Sequence, residues 1–294
     1  MQKRLKISIG LCLISAVCLA CQPATSNSAV NTTTKADSNS SGNVNSSNLS
    51  VSNSNSNAIR SDVSSAAIET REPEQYQATV TLKFEVSGAK NLAAPPIKAN
   101  VARNGNDRRM EFSLPNGERL IYLDLGGKQF VVSPNRKQYA ELTKEALGFE
   151  VRRMLMPEQI VNQAKNLKGV ERVGEERVGT RDAIKYRYGA NTDTQTKAGT
   201  VATESIVLVD KETGLPLRSV TNSESPTGDV QGIRGLRLTT EMSDIRTNAD
   251  ASLFAEPTDF EKIAPEQIKS QVDAVFSAAT ILFTQLLKSA QTNQ

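Results

Sequence analysis

The sequence predicts a mainly β domain of the α+β class, and three observations support this class. Residues 75–86 alternate apolar and polar side chains, the pattern of a half-buried strand. Turn sequences rich in Gly, Asn and Pro recur from residue 104 to residue 135, at the regular spacing of an all-β sheet or barrel. Residues 265–291 then carry one apolar stripe at spacings of three and four, which predicts a C-terminal amphipathic helix.

The first twenty residues have the features of a secretory signal peptide. Lys3, Arg4 and Lys6 form a basic start, and an apolar run extends from Ile7 to Leu19. This run is too short to favour a membrane-spanning helix and suits the apolar region of a signal. We therefore assign residues 1–20 to a signal that is removed.

The run ends in Val17-Cys18-Leu19-Ala20-Cys21, which resembles a bacterial lipobox. The resemblance implies that Cys21 is lipidated and becomes the mature N-terminus, although Cys18 stands where Leu is usual. The alternative is an ordinary signal cut near Ala20, which leaves Cys21 as a free thiol. Two or three acyl chains would anchor the protein firmly, since each buried CH₂ contributes about 0.8 kcal/mol.

Residues 21–73 are predicted to be a disordered tether. Ser, Asn and Thr fill 24 of the 36 positions from 22 to 57. So few apolar side chains cannot offset the entropy of ordering the segment. Residues 58–72 have some helical character, which Pro73 would end.

Residues 74–263 are assigned to one β domain of about eleven or twelve strands. In the first strand, Tyr76, Ala78, Val80, Leu82, Phe84 and Val86 share one face. The further strands are predicted at Ile97–Arg103, Arg109–Leu114, Arg119–Leu125, Lys128–Ser133, Lys137–Leu142, Val170–Val178, Ala183–Tyr188, Thr200–Val209, Leu217–Asn222 and Gly232–Ser243. Two helices interrupt this series, at Thr143–Arg153 and at Met156–Leu167, where Pro157 suits the first turn.

Several short stretches of this domain, in their order along the chain, resemble the bacterial envelope proteins with a LolA/LolB-type fold. This superfamily includes outer-membrane lipoprotein-sorting proteins, the RseB sensor type and LppX-type lipid carriers. The stretches that carry the resemblance are Arg108-Arg109-Met110-Glu111-Phe112, Tyr122-Leu123-Asp124, Gly127-Lys128-Gln129-Phe130, Asn135-Arg136-Lys137-Gln138-Tyr139, Val178-Gly179-Thr180-Arg181-Asp182-Ala183, Val209-Asp210-Lys211-Glu212-Thr213-Gly214-Leu215-Pro216-Leu217-Arg218 and Asp250-Ala251-Ser252-Leu253-Phe254.

The resemblance implies a strongly curved antiparallel sheet, an unclosed barrel with helices on its concave face. In the family this concavity binds acyl chains. The family has no catalytic residues whose counterparts could be sought in this sequence. Val80, Leu82 and Phe84 are then candidate apolar lining for a ligand, although core packing explains them equally well. This sequence departs from the family in lacking Trp and in having an additional C-terminal segment.

That segment, residues 264–294, is too polar to span a bilayer. Its apolar stripe includes Ile268, Val272, Phe276 and Phe283. The stripe fits a helix packed on the domain, including a lid over the concave face. A helix on a membrane surface and a helix that docks to a partner remain as alternatives.

Composition excludes several kinds of chemistry. The chain has no His, which excludes His triads, His bases and His metal ligands. All three Cys lie in the first 21 residues, so the domain has no disulfide or thiolate metal site. The carboxylate pairs have basic neighbours, which favours a solvated, charge-balanced surface over catalysis; they are Glu175-Glu176, Asp210/Glu212 and Glu241/Asp244. We predict no enzyme, cofactor or metal site.

The sequence therefore favours a lipid-anchored protein of the bacterial cell envelope, at the outer membrane facing the periplasm or at the cell surface. The leading hypothesis for its function is non-covalent binding of a lipid or acyl chain. The alternatives are a protein-binding or stress-sensing envelope module and a purely structural surface lipoprotein. A nucleic-acid partner is not expected, because the formal charge of +3 equals the three basic residues of the signal.

Overall fold

The computed structural model describes residues 67–88, 91–113, 117–142, 157–165, 169–193, 199–226, 229, 232–272 and 285. All of them belong to one compact unit, Ser64–Gln294. The signal at 1–20, Cys21, the tether up to residue 66 and the helix expected at Thr143–Arg153 lie outside the described residues. Those assignments therefore stay predictions.

The described residues form thirteen strands and one complete short helix. The strands are β1 (Gln75–Gly88), β2 (Leu92–Ala93), β3 (Ile97–Asn104), β4 (Asp107–Ser113), β5 (Arg119–Leu125), β6 (Lys128–Ser133), β7 (Gln138–Leu142), β8 (Glu171–Val178), β9 (Arg181–Asp193), β10 (Thr200–Asp210), β11 (Pro216–Glu224), β12 (Ile233–Arg246) and β13 (Glu261–Lys262). Helix α1 is Pro157–Lys165, and Pro134–Arg136 and Ala251–Phe254 are 3₁₀ turns.

All thirteen strands belong to one curved, unclosed sheet, with the order β13-β7-β6-β5-β4-β3-β1-β12-β11-β10-β9-β8 and β2 paired to β1. Neighbouring strands are antiparallel except β13 and β7. The predicted strands are confirmed, with ends that shift by a few residues. The two-residue strands β2 and β13 are not predicted, because two residues show no alternation.

One face of this sheet carries the main core and both helical pieces, and we call it the helix-bearing face. Six buried side chains align directly across β1, β3, β4, β5, β6 and β7: Ala78, Val101, Met110, Tyr122, Val131 and Ala140. Ile268 and Val272 pack into the same cluster. Residues 265–272 are helical. Most of the predicted amphipathic helix beyond Val272 lies outside the described residues, so the helix as a whole stays a prediction.

Helix α1 packs on the same face in the other half of the sheet. Its Ala164 joins a cluster with Tyr186 of β9 and Val207 of β10. These two residues lie directly opposite each other in the register. Of the helix predicted at Met156–Leu167, the described residues show Pro157–Lys165 as helical. This helix contacts a part of the face that residues 265–272 do not reach in the described structure.

The chain before β1 is packed on the domain, in a stretch that the sequence assigns to the tether. Ile68 is buried in the α1 cluster, and Thr70 donates a hydrogen bond to the Gly214 carbonyl at 2.9 Å. The backbone N–H of Arg71 also donates to Gly214 O, at 2.9 Å. The segment that packs on the domain therefore includes Ile68. The composition of the tether does not predict this packing, because it depends on the burial of a single apolar side chain.

Asp210 corrects a second expectation, that the carboxylate pairs are solvated. Its side chain is only 2% exposed and accepts a hydrogen bond from Arg181 at 2.7 Å. It also accepts from the backbone N–H of Thr213 at 3.1 Å, at the turn between β10 and β11. The carboxylate is buried because it holds this turn closed, and a buried charge persists only when it is paired in this way.

A buried ionic cluster closes one end of the helix-bearing face. The Glu72 carboxylate lies 3.0 Å from the Arg108 guanidinium and 3.2 Å from that of Arg103, and all three side chains are at most 12% exposed. Tyr76 donates its hydroxyl proton to Glu72 at 2.8 Å. Burial raises the pKa of Tyr76 well above its ordinary value, and the negative charge of Glu72 raises it further.

Strand β8 forms one free edge of the sheet in the described chain. All eight of its residues are exposed or half-buried, and Val173 is 42% exposed. Of these eight, Val178 packs against a described hydrophobic cluster. The register shifts between Arg172 and Gly174, and Gly174 has φ of 137°. The edge is therefore bulged, and it carries ion pairs such as Arg187–Glu171 at 2.7 Å.

We expect Gly214→Ala to destabilise the domain by about 1–3 kcal/mol. Gly214 has φ of +77°, and an added Cβ would lie 2.3 Å from Cγ of Arg71. Gly105→Ala is the control, because Gly105 has a similar φ of +61° with nothing within 4 Å of the added Cβ. Urea unfolding measures both variants. An equal loss in both would show that the contact with Arg71 contributes nothing.

We expect Glu72→Gln to lower the free energy of unfolding by about 3–5 kcal/mol, because it removes the negative charge between two buried guanidiniums. Glu74→Gln is the matched control. Glu74 also pairs with Arg103, at 3.4 Å, but its side chain is 80% exposed. Its loss should cost about 0–1 kcal/mol. Comparable losses in the two variants would contradict the buried cluster.

The raised pKa of Tyr76 predicts alkaline unfolding. A group whose pKa is higher in the folded state than in the unfolded state stabilises the fold at a pH below its unfolded-state pKa, which is about 10 for Tyr. This contribution to the free energy of unfolding is lost as the pH rises above that value. Among the five tyrosines, we expect Tyr76 to stay protonated until the chain unfolds, as followed by absorbance near 295 nm. Tyr76→Phe should reduce the ionisation that accompanies unfolding by one tyrosine, and an unchanged titration would contradict the assignment.

Candidate functional site

The candidate site is the end of the helix-bearing face that lies away from the ionic cluster. Along β1, Tyr76, Ala78 and Val80 are fully buried in the main cluster, whereas Leu82 and Phe84 are half-buried. Of the three predicted lining residues, Val80 therefore belongs to the core. Leu82 and Phe84 share one face with it and lie further along the strand.

The neighbouring strand β12 continues the apolar surface. Leu238 lies directly opposite Phe84, and Leu236 lies opposite Val86. On the other side of β1, Ile97 lies opposite Leu82 and is 45% exposed. In the described part of the chain, Leu82, Phe84, Leu236 and Leu238 join none of the four hydrophobic clusters.

Beyond β12, strands β11 and β10 present hydroxyl groups on the same face. They lie in register with the apolar residues. Thr221 of β11 lies opposite Leu238 of β12, and Ser205 of β10 lies opposite Thr221. All are half-buried. The hydroxyl-bearing residues are Thr203, Ser205, Ser219, Thr221, Ser223 and Thr240.

We call these ten residues, namely Leu82, Phe84, Leu236, Leu238 and the six hydroxyl-bearing residues, the uncharged patch. None of them carries a charge, although they span four adjacent strands. The sequence hints at the patch only through the alternation of each strand. Which strands lie side by side, and in which register, is not visible in it.

The opposite face of the same strands is strongly ionic. Lys83 of β1 lies 2.5 Å from Glu241 of β12, and Arg218 of β11 lies 3.1 Å from the same carboxylate. The hydrogen bond from Lys83 lowers the pKa of Glu241. In the rows through Leu82, Phe84 and Val86, the alternation of side chains thus places the charged residues on one face and uncharged residues on the other.

A polar cavity of about 290 Å³ lies on this opposite face. Its lining includes Gln77, Thr79, Asn100, Arg109, Glu111, Asp244, Arg246 and Leu253. Arg109 and Glu111 form an ion pair there. Burial of an acyl chain against these charged groups would be unfavourable, so the cavity does not suit the ligand that the sequence leads us to expect.

Among the described residues, no group of His, Cys, Asp and Glu has the arrangement of a metal site. No helix within the same residues is both long and apolar enough to cross a membrane. The remaining carboxylate pairs take part in ion pairs, as when Glu175 contacts Lys211 and Arg172. The hydrogen bond from Lys211 lowers the pKa of Glu175.

No protein-family model matches the chain, and no curated protein matches it. Solved structures that resemble it include a domain named as an outer membrane lipoprotein-sorting protein from Vibrio parahaemolyticus, with 11% identity, a TM-score of 0.25 and coverage of 62% of this chain and 91% of the other. Lipoprotein LppX of Mycobacterium tuberculosis has 11% identity, a TM-score of 0.30 and coverage of 59% and 88%.

LprF of Mycobacterium bovis has 10% identity, a TM-score of 0.33 and coverage of 62% of this chain and 90% of that one. At such TM-scores these likenesses carry no argument about what this chain binds. The solved structures to which the chain is similar nevertheless include the lipoprotein-sorting and LppX types that its sequence resembles.

Proposed function

We propose that this protein is a lipid-anchored protein of the bacterial envelope that binds a lipid or acyl chain non-covalently on the uncharged patch. One observation carries the proposal. In the rows that run through Leu82, Phe84 and Val86, four adjacent strands carry no charged side chain on this face, whereas their opposite face carries ion pairs. A sheet face that meets only water commonly carries charges, as the opposite face does here.

The apolar part of the patch has the chemistry of an acyl-chain site. Leu82 and Phe84 on β1 lie beside Leu238 on β12, and Ile97 extends the apolar surface past the edge of the patch. Each methylene buried there would contribute about 0.8 kcal/mol, so eight would contribute roughly 6 kcal/mol before the ordering of the ligand is subtracted.

A second candidate is a protein-binding or stress-sensing module without a lipid. It is supported by the main cluster, where Ile268 and Val272 fill the space against the sheet. In that case the remainder of the terminal segment, or a partner protein, would cover the patch. The two candidates differ in what is found on the purified protein.

The test is native mass spectrometry of residues 22–294, exported in a bacterial host behind an ordinary secretory signal and purified without detergent. This chain lacks Cys21, the proposed acylation site, so that any lipid mass reports non-covalent binding. We expect one lipid per chain, released by solvent extraction. A lipid-free mass that does not shift when dioleoyl phospholipids or oleic acid are added would overturn the proposal and favour the protein-binding module.

In the same chain, we expect Ile97→Asn to weaken lipid binding by about tenfold, because it replaces an exposed apolar side chain beside Leu82 with an amide. Val173→Asn is the matched control. Val173 is exposed to a similar degree, 42% against 45%, but lies on the edge strand β8. Equal effects of the two substitutions would mean that lipid binds nonspecifically.

A further inference from the structure

The segment that leads into β1, residues 68–74, contacts the domain at three separate places, and we call it the strap. At the first place, Ile68 is buried in the α1 cluster. The backbone N–H of Glu69 donates a hydrogen bond there to the hydroxyl of Tyr186 at 3.3 Å. The long polar stretch of the predicted tether runs directly into Ile68. The strap is therefore the place where the tether joins the domain.

The second place is the turn between β10 and β11. The hydroxyl of Thr70 and the backbone N–H of Arg71 both donate to the Gly214 carbonyl, each at 2.9 Å. The Arg71 guanidinium also donates to the Glu212 carbonyl at 2.6 Å. Thr70 is only 5% exposed, so its hydrogen bond is shielded from water. The strap is thus bonded to two carbonyls of this turn.

The third place is the hairpin formed by β3 and β4, where the strap also supplies the buried Glu72 carboxylate. The Arg103 guanidinium donates to the carbonyls of Glu72 and Pro73, at 3.0 Å each. The backbone N–H of Gly105 donates to the Glu74 carbonyl at 2.8 Å. In the sheet, β1 and β12 separate this hairpin from β11 and β10. The strap therefore joins two parts of the sheet that do not pair with each other.

Few backbone hydrogen bonds attach the strap to the rest of the domain. Within the described chain, the backbone-to-backbone bonds that do so are those of Arg71 with Gly214 and of Gly105 with Glu74. Strand β1, by contrast, pairs with β12 along most of its length and with β3 on its other side. A segment with so few backbone bonds opens at a lower free energy than the strands beside it. Because Arg71 and Glu72 are neighbours in the chain, release from the turn also loosens the hold on the hairpin.

We propose that the strap is a latch, which leaves the domain as one unit while the sheet stays folded. When it is attached, it shortens the tether and holds the turn and the hairpin together. When it is released, residues 68–74 add about 24 Å to the reach of the tether at full extension. A pull on the tether acts on Ile68 first and favours release. The latch does not depend on lipid binding, whereas its use in setting the distance from a membrane rests on the proposed anchor.

Hydrogen exchange of residues 22–294, followed by NMR at single amides, tests the latch. The amides of Arg71 and Gly105 are the reporters, because one bonds to the turn and the other to the strap itself. We expect both to give the same opening free energy, after correction for intrinsic rates. Both should be protected at least about tenfold less than the amides of β5, which is paired on both sides. Urea should affect them less than the amides of β5, since release of the strap exposes less surface.

Two substitutions test whether the strap opens as a unit. Ile68→Ala should speed the exchange of both reporters by the same factor, at least about 30-fold, although Gly105 contacts the other end of the strap. Thr70→Val removes the hydrogen bond to Gly214 with little change of volume and should speed both by about fivefold. Ile121→Ala is the matched control, because Ile121 is also buried, but in a cluster on β5 and β6. It should speed the exchange of β5 and leave both reporters unchanged.

Two outcomes would overturn the latch. If the reporters exchange at the rate of β5 with the same dependence on urea, the strap opens only when the whole domain unfolds. If Ile68→Ala and Thr70→Val speed the exchange of Arg71 but not of Gly105, the strap opens piece by piece. Neither readout involves a lipid, so a lipid-free protein in the mass spectrometry above would leave the latch in place.

Discussion

The pairing of β1 with β12 is the constraint on which the rest of this structure depends. These are the two fourteen-residue strands at the centre of the sheet, and every other strand extends outward from one or the other. Because side chains alternate, a slip of one residue would turn Leu82 and Phe84 outward and bring Lys83 inward. The register between these strands therefore determines at once where the core lies, where the charges lie and which face can meet a ligand.

The sequence predicts the elements of this fold well, because each depends on a local pattern. The alternation from Tyr76 to Val86 identifies β1 and its buried face, and Pro157 and Pro265 mark the starts of the two helical pieces. The apolar stripe of the terminal helix is also visible, and its first two members, Ile268 and Val272, are buried in the core.

What the sequence cannot predict depends on strands that are distant along the chain. Thr221 and Ser205 are ordinary strand residues until the register places them beside Leu238. The burial of Asp210 depends on Arg181, which belongs to another strand. Ile68 follows a long polar stretch, and only the cluster around Tyr186 shows that it belongs to the domain. Of the three candidate lining residues, alternation alone could not separate Val80 in the core from Leu82 and Phe84.

The bulged edge strand β8 has a consequence for a protein held at a membrane surface. An acyl anchor would confine many copies to two dimensions, where the free edges of their sheets meet often. A flat edge would then recruit the edge of a neighbouring molecule and start an intermolecular sheet. The kink at Gly174 and the charges of Arg172 and Glu175 oppose such pairing, because they distort the hydrogen-bonding edge and keep it hydrated. Molecules crowded in this way can thus remain separate.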